Sequence, residues 1–196
     1  METVNRHLFL MINAGESLTG PRLTIATLVA DYAVLLVPLT LVLLWFHDRT
    51  EAARIRLLLA FCAAILALGL NQMIGLVYFH PRPFMEGIGH AYLPHAADSS
   101  FPSDHMTVFC AVGLALAIDR ATRRTGTLLL LTALPVAWSR IYLGVHFPFD
   151  MTGGLGTAAI SVAAVRLASR PLENLACRPL LRLYGTMGHT RRHGGK

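Results

Sequence analysis

Three short segments of this chain carry residue types that can together move a phosphoryl group. They are His80-Pro-Arg-Pro83, Pro102-Ser-Asp-His105, and a longer run that holds Ser139, Arg140, His146 and Asp150. Phosphoryl transfer without a metal needs guanidinium groups to pair with phosphate oxygens, a nucleophile, a group to orient it, and an acid for the leaving oxygen. Arg82 and Arg140 can each hold a phosphate through two N–H groups. Ser103, expected at a helix start, adds a hydroxyl and neighbouring backbone N–H groups that suit an anion. His105 and His146 can divide the roles of acid and nucleophile, with Asp150 fixing one imidazole by accepting a hydrogen bond from its other nitrogen.

These segments must be positioned by something, and the composition says what. Of the 196 residues 54% are apolar and 14% charged, against roughly 25% charged in a soluble globular domain. Residues 23–46 contain one charged side chain, Asp31, and residues 57–79 contain none. Either stretch is long enough to cross a hydrocarbon core of about 30 Å at about 1.5 Å per residue. The hydropathy pattern predicts five spans, over residues 23–46, 57–79, 103–120, 127–144 and 151–169. The third has a short uncharged centre, Met106 to Ile118, and spans only if its helix starts near Ser103, where Pro102 and Ser103 supply a break and an N-cap. The fold class expected is an all-α, polytopic membrane helical bundle.

Net charge is +6, which in a soluble protein would raise nucleic acid as a partner. The basic residues are instead clustered between apolar runs, at Arg49, Arg54 and Arg56, at Arg120, Arg123 and Arg124, and from Arg166 to Lys196. In the five-span arrangement thirteen of them fall on one side and four, Arg6, Arg22, Arg82 and Arg140, on the other. The side with thirteen should be cytoplasmic, so all three polar segments should meet on the outer face. Residues 1–170 are expected to form a single membrane-embedded domain and residues 171–196 a basic cytoplasmic tail, partly mobile and near anionic headgroups. The stretch Val4 to Ala14 is expected either along the interface as an amphipathic helix or as a short sixth span. Glu2 and Arg6 precede a short, broken apolar run with no small-residue cleavage site, unlike a cleavable signal.

Other side chains are expected to be quieter. Cys62, Cys110 and Cys177 have neither metal nor disulfide spacing. His80, His90 and His95 are loop histidines suited to structural or pH-modulating roles rather than coordination. Asn71 and Gln72, mid-span, read as hydrogen-bonding glue between helices. Glu86, Tyr92, Asp98 and Asp104 lie in or beside the outer loop, where they could shape specificity.

The three segments resemble the motifs of the type 2 phosphatidic acid phosphatase superfamily: Lys-x6-Arg-Pro, Pro-Ser-Gly-His, and Ser-Arg-x5-His-x3-Asp. The third is matched in full by Ser139, Arg140, His146 and Asp150. A chance match of four fixed residues in a chain this long is on the order of one in a thousand. The first motif keeps Arg82-Pro83 but has Gly75 where the pattern has lysine, and the second has Asp104 in place of glycine. The Pro-Ser-Asp-His variant is more similar to the undecaprenyl-diphosphatase branch than to the lipid monophosphatases.

That resemblance implies a lipid phosphate or diphosphate phosphatase of a bacterial inner membrane. His146 would take the phosphoryl group as phosphohistidine, Asp150 orient it, and His105 protonate the leaving oxygen. Arg82, Ser103, Ser139 and Arg140 would bind phosphate. No metal or cofactor is implied, and the partners are a polyprenyl diphosphate or related lipid phosphate and membrane lipids, not nucleic acid. The same motifs would permit vanadate-dependent halide oxidation, which the spans argue against, or a non-enzymatic module that only holds a headgroup.

Overall fold

The structure of the chain, a computed structural model, describes residues 1–184. Within them all regular structure is helical. Helix α1 (Glu2–Ile12) is followed by α2 (Gly20–His47), α3 (Glu51–Val77), α4 (Asp104–Ile118), α5 (Arg123–Tyr142), α6 (Pro148–Leu167) and α7 (Ser169–Tyr184). By length and composition α2 and α3 can each cross a membrane, and α4 is a shorter apolar helix. At 11 residues α1 is too short to cross. Helix α7 is bent by 70° from α6, so the expected tail begins as a helix. Its continuation beyond Tyr184, through residues 185–196, lies outside the described residues.

Why these helices associate is visible in the residues they bury. Helix α3 turns Ala60, Ala64 and Ala67 inward, against Phe109, Ala111, Val112 and Leu116 of α4 and Leu129, Ala133 and Val136 of α5, and Ala63 against Val162 and Val165 of α6. Large apolar side chains point outward instead, among them Leu39, Leu43 and Phe46 on α2 and Phe61 and Ile65 on α3. Small inside and large outside suits a lipid solvent, where close backbone packing rather than apolar burial drives helix association. The α4–α5 contact depends on it: a Cβ at Gly126 would stand 2.6 Å from the carbonyl oxygen of Gly113.

Short connections at residues 48–50, 119–122 and 143–147 join neighbouring helices, whereas residues 78–103 form one long loop between α3 and α4. The basic clusters gather at one end of the bundle. There Arg56 reaches Asp119 at 3.6 Å, Arg178 reaches Glu51 at 3.4 Å, and Arg54 lies 5.1 Å from both the Trp45 and Tyr184 rings. The three polar segments lie together at the other end.

Helix α2 is interrupted where it passes them. A π turn over Leu28–Tyr32 is followed by a 3-10 turn over Ala33–Leu35. Such a bulge disturbs the regular ladder and can release a carbonyl for another donor. Here the carbonyl is that of Ala30.

Candidate active site

The geometry begins with the five residues between α5 and α6. Leu143 closes α5, and Gly144 then turns the chain at φ 83°, a backbone region that costs glycine nothing. A Cβ there would also collide with the carbonyl of His90. The Val145 N–H returns to Arg140 O at 3.1 Å, which folds His146 inward, 2% exposed.

One turn later stands Asp150, fully buried. Its Oδ2 accepts from the Phe147 N–H at 2.7 Å, from the Ser100 hydroxyl, and from His146 Nδ1 at 3.2 Å. The carboxylate therefore caps α6 and orients the imidazole at once. With Nδ1 donating to Asp150, Nε2 carries the lone pair, and that nitrogen faces Arg82 Nη1 at 3.2 Å. The tautomer follows from this network. Burial is the main influence on His146; the Asp150 hydrogen bond opposes it and the Arg140 and Arg82 charges add to it, and together they push the imidazole down to about 4. The ring is thus neutral near pH 7.

Arg82 is 4% exposed and is held from several sides. Nη1 donates to Val145 O at 2.8 Å, Nη2 to Ser99 O at 3.3 Å, and Nε to Asp98 Oδ1 at 2.8 Å. Burial pushes the Asp98 carboxyl up, but the hydrogen bond and charge of Arg82 outweigh it and leave Asp98 below its ordinary range. Arg140, in the last turn of α5, is 2% exposed. Its Nη1 donates to Ala30 O at 3.2 Å, lies 3.4 Å from His105 Nε2, and is 3.9 Å from Asp31 Oδ1. Its Nη2 donates to His95 Nε2 at 3.2 Å. Burial, and then the charge of Arg82, hold the His95 imidazole below its ordinary value, consistent with its accepting from a guanidinium.

Arg82, His105, Arg140 and His146 line one cavity of about 360 Å³, together with His95 and the apolar side chains of Leu76 and Phe79. Asp150 stands behind His146. Ser139 is fully buried and donates to Val136 O at 2.8 Å, so its hydroxyl serves its own helix. Ser103 occupies the N-cap position of α4 as expected, yet its hydroxyl makes no capping bond. Both Ser103 Oγ and Arg140 Nε are buried without a hydrogen-bond partner among the described residues. The chemistry present is two guanidinium groups beside two imidazoles, one of them neutral and backed by a carboxylate, which suits a phosphate dianion and an attacking nitrogen.

Residues 56–172 match the PAP2 superfamily. The chain belongs to that superfamily. It is 38% identical over 137 residues to "Undecaprenyl-diphosphatase BcrC" of Bacillus subtilis (strain 168), covering 70% of this chain and 69% of that protein. YbjG of Escherichia coli (strain K12), whose name assigns it provisionally as an undecaprenyl-diphosphatase, is 37% identical over 167 residues, 85% of this chain and 83% of its own length. Among solved structures the chain is similar to Aquifex aeolicus LpxE, with a TM-score of 0.66 and 25% identity over 83% of this chain and 94% of that one. With helices long and apolar enough to cross a membrane, the protein is a membrane protein.

Two departures from the PAP2 pattern have local explanations. Gly75 lines the cavity where α3 passes the long loop, and a Cβ there would stand 3.3 Å from Ser99 Cβ. Ser99 is itself committed, accepting from the His80 N–H and donating to Phe101 O, so any side chain at 75 presses on the loop that carries Arg82. Asp104 is tied to α3: Oδ1 accepts from Asn71 at 2.8 Å and Oδ2 from Gln72 at 3.3 Å. Asn71 also donates to Thr107 at 2.9 Å, so this pair does join helices. Of the four loop positions considered for specificity, Asp98 and Asp104 line the cavity. Glu86 pairs with Arg6 at 2.9 Å, and the Tyr92 hydroxyl donates to Gly15 O.

Four contributors were not legible as site residues in the sequence. Ser100, His95, the Ala30 carbonyl and Asp31 all touch the arginines or Asp150. The one available signal was Asp31, the lone charge of the first span, since an ionisable residue in a membrane helix marks function by default.

Proposed function

We propose that this protein is an undecaprenyl-diphosphate phosphatase that releases inorganic phosphate and the monophosphate carrier lipid at the outer face of a bacterial inner membrane, in support of cell-wall synthesis. Helices α2 to α6 would be the five spans, with α1 beside the site and the chain from residue 171 on the cytoplasmic side. The excess of basic residues at the end of the bundle opposite the cavity supports this orientation. The substrate class is supported by the relatives named above.

In this reading Arg82 and Arg140 bind the terminal phosphate, joined by the unpartnered hydroxyl of Ser103, while Ser139 supports the turn of α5 that carries Arg140. The lone pair of His146 Nε2 attacks phosphorus as the bond to the bridging oxygen breaks. The Nδ1–H stays on Asp150, which stabilises the charge developing on the ring. His105 gives its proton to the leaving oxygen and then takes one from the water that hydrolyses the phosphohistidine. A diphosphate leaves as a phosphate monoester, a far better leaving group than an alkoxide. The observation that carries this reading is one cavity lined by Arg82, His105, Arg140 and His146, in which Arg82 meets the free nitrogen of a carboxylate-backed His146 and Arg140 meets His105.

The test is phosphate release by the purified protein in detergent without added metal. Turnover of undecaprenyl diphosphate in preference to phosphatidic acid and phosphatidylglycerol phosphate is expected. Turnover of the monoesters alone would replace this reading by a broader lipid phosphatase, and no turnover of either would refute it.

A further inference from the structure

On the side of Asp150 away from His146, two buried polar atoms are without a hydrogen-bond partner among the described residues: His80 Nδ1 and Asp150 Oδ1. They face each other at 3.9 Å. His80 is 8% exposed and Asp150 0%, so solvent does not serve them, and protein interiors avoid leaving a donor and an acceptor bare side by side. An approach of about 1 Å makes the bond.

The surroundings of His80 hold it for this purpose. Its ring packs edge-on against Phe147 and stacks with Tyr78. Its N–H donates to Ser99 Oγ at 3.2 Å, and its carbonyl accepts from the Ser100 N–H at 2.7 Å, so it is tied to the same strand of loop whose Ser100 hydroxyl serves Asp150. The other ring nitrogen, Nε2, lies 3.5 Å from Glu2 Oε2 in the first turn of α1. Helix α1 is seated on the same loop: Asn5 Oδ1 accepts from the Phe149 N–H at 3.0 Å, and Phe9 packs on Phe147 with ring centroids 5.2 Å apart.

We propose that His80 is a positioning residue, whose Nδ1–H donates to Asp150 Oδ1, so that the other oxygen of the carboxylate stays aimed at His146. Three donors converge on Oδ2, whereas Oδ1 makes no hydrogen bond among the described residues and has His80 Nδ1 at 3.9 Å to resist rotation of the carboxylate. Helix α1, seated on the same loop through Asn5 and Phe9, supports this arrangement without touching substrate. The assignment rests on the roles given above to His146 and Asp150.

The test uses the full-length protein in detergent, undecaprenyl diphosphate as substrate, and four variants. His80→Phe is expected to lower kcat about ten- to a hundredfold, the scale of a misplaced catalytic group, with KM within about threefold because His80 does not meet substrate. His80→Asn places an amide N–H where Nδ1 stood and is expected to recover most of the loss. His80→Gln, whose amide reaches the Nε2 position instead, is expected to stay slow. A His80→Phe protein with wild-type kcat, or Asn and Gln variants that behave alike, would overturn the role; if His80→Phe does not fold, the Asn and Gln pair decides. His146→Ala runs in parallel. Turnover by that variant would sink the reading of the site itself, whereas a dead His146→Ala beside a fully active His80→Phe sinks only the role of His80.

Discussion

Replacing Ser100 by alanine removes one hydroxyl from the wall behind His146 and leaves every other polar group in place. That hydroxyl is fully buried, donates to Asp150 Oδ2, and lies 3.3 Å from His146 Nδ1. In Ser100→Ala the oxygen keeps the Phe147 N–H at 2.7 Å and His146 at 3.2 Å. Losing one hydrogen bond to a charged group is worth about 1.5–3 kcal/mol, and one pH unit corresponds to about 1.4 kcal/mol. The carboxylate becomes the stronger base, and part of the change passes to the ring it holds, which raises the imidazole from its value of about 4. The sign follows from the chemistry: attack needs the neutral ring, so on the acid limb kcat/KM falls about tenfold per pH unit below that value. In Ser100→Ala the fall should begin about one pH unit higher, with a loss of about tenfold at neutral pH from looser aim. The assay is kcat/KM for undecaprenyl diphosphate across the acidic range, against wild type. An acid limb that stays put or moves downward would refute the reasoning.

Arg140→Lys keeps the charge but loses the planar fork that reaches Ala30 O, His105 and His95 together; kcat/KM should fall about ten- to a hundredfold, and a change under about twofold would contradict the bidentate role. His105→Ala should cost phosphatidic acid, with its alkoxide leaving group, about a hundredfold or more, and undecaprenyl diphosphate much less. Equal losses on the two substrates would remove His105 from the leaving oxygen. Asn71→Leu breaks the bonds to Asp104 and Thr107 and should lower stability by about 1–2 kcal/mol, the range for interhelical bonds in membranes; an unchanged midpoint of thermal unfolding in detergent would show that the pair contributes nothing.

How much of this was readable beforehand depended on how each residue reaches the site. Arg140, His146 and Asp150 are brought together by the end of one helix, a glycine turn and the start of the next, so their spacing along the chain nearly determines their spacing in space. The apolar runs and the basic clusters likewise report their own positions, because lipid and headgroups act on each segment separately. Ser100 and His95 belong to the long loop between α3 and α4, and no local periodicity tells which of its side chains turns inward. The Ala30 carbonyl is available because α2 carries a π turn, which has no sequence signature in an otherwise uniform apolar helix. Ser103 shows the limit differently. Its place at the start of α4 was legible, but the absence of a capping bond from its hydroxyl is a matter of side-chain rotation. The seating of α1 against the loop of His146 depends on Asn5 and Phe9, two residues unremarkable in an amphipathic stretch.

The central claim is that His146 Nε2 carries the phosphoryl group between substrate and water. It is tested most directly by rapid quench of the enzyme with undecaprenyl diphosphate labelled in the terminal phosphate, followed by digestion and mapping under alkaline conditions. The account predicts an acid-labile, alkali-stable phosphohistidine on the peptide containing His146, absent in His146→Ala. Burst turnover with no label on the protein, or label on another residue, would contradict it.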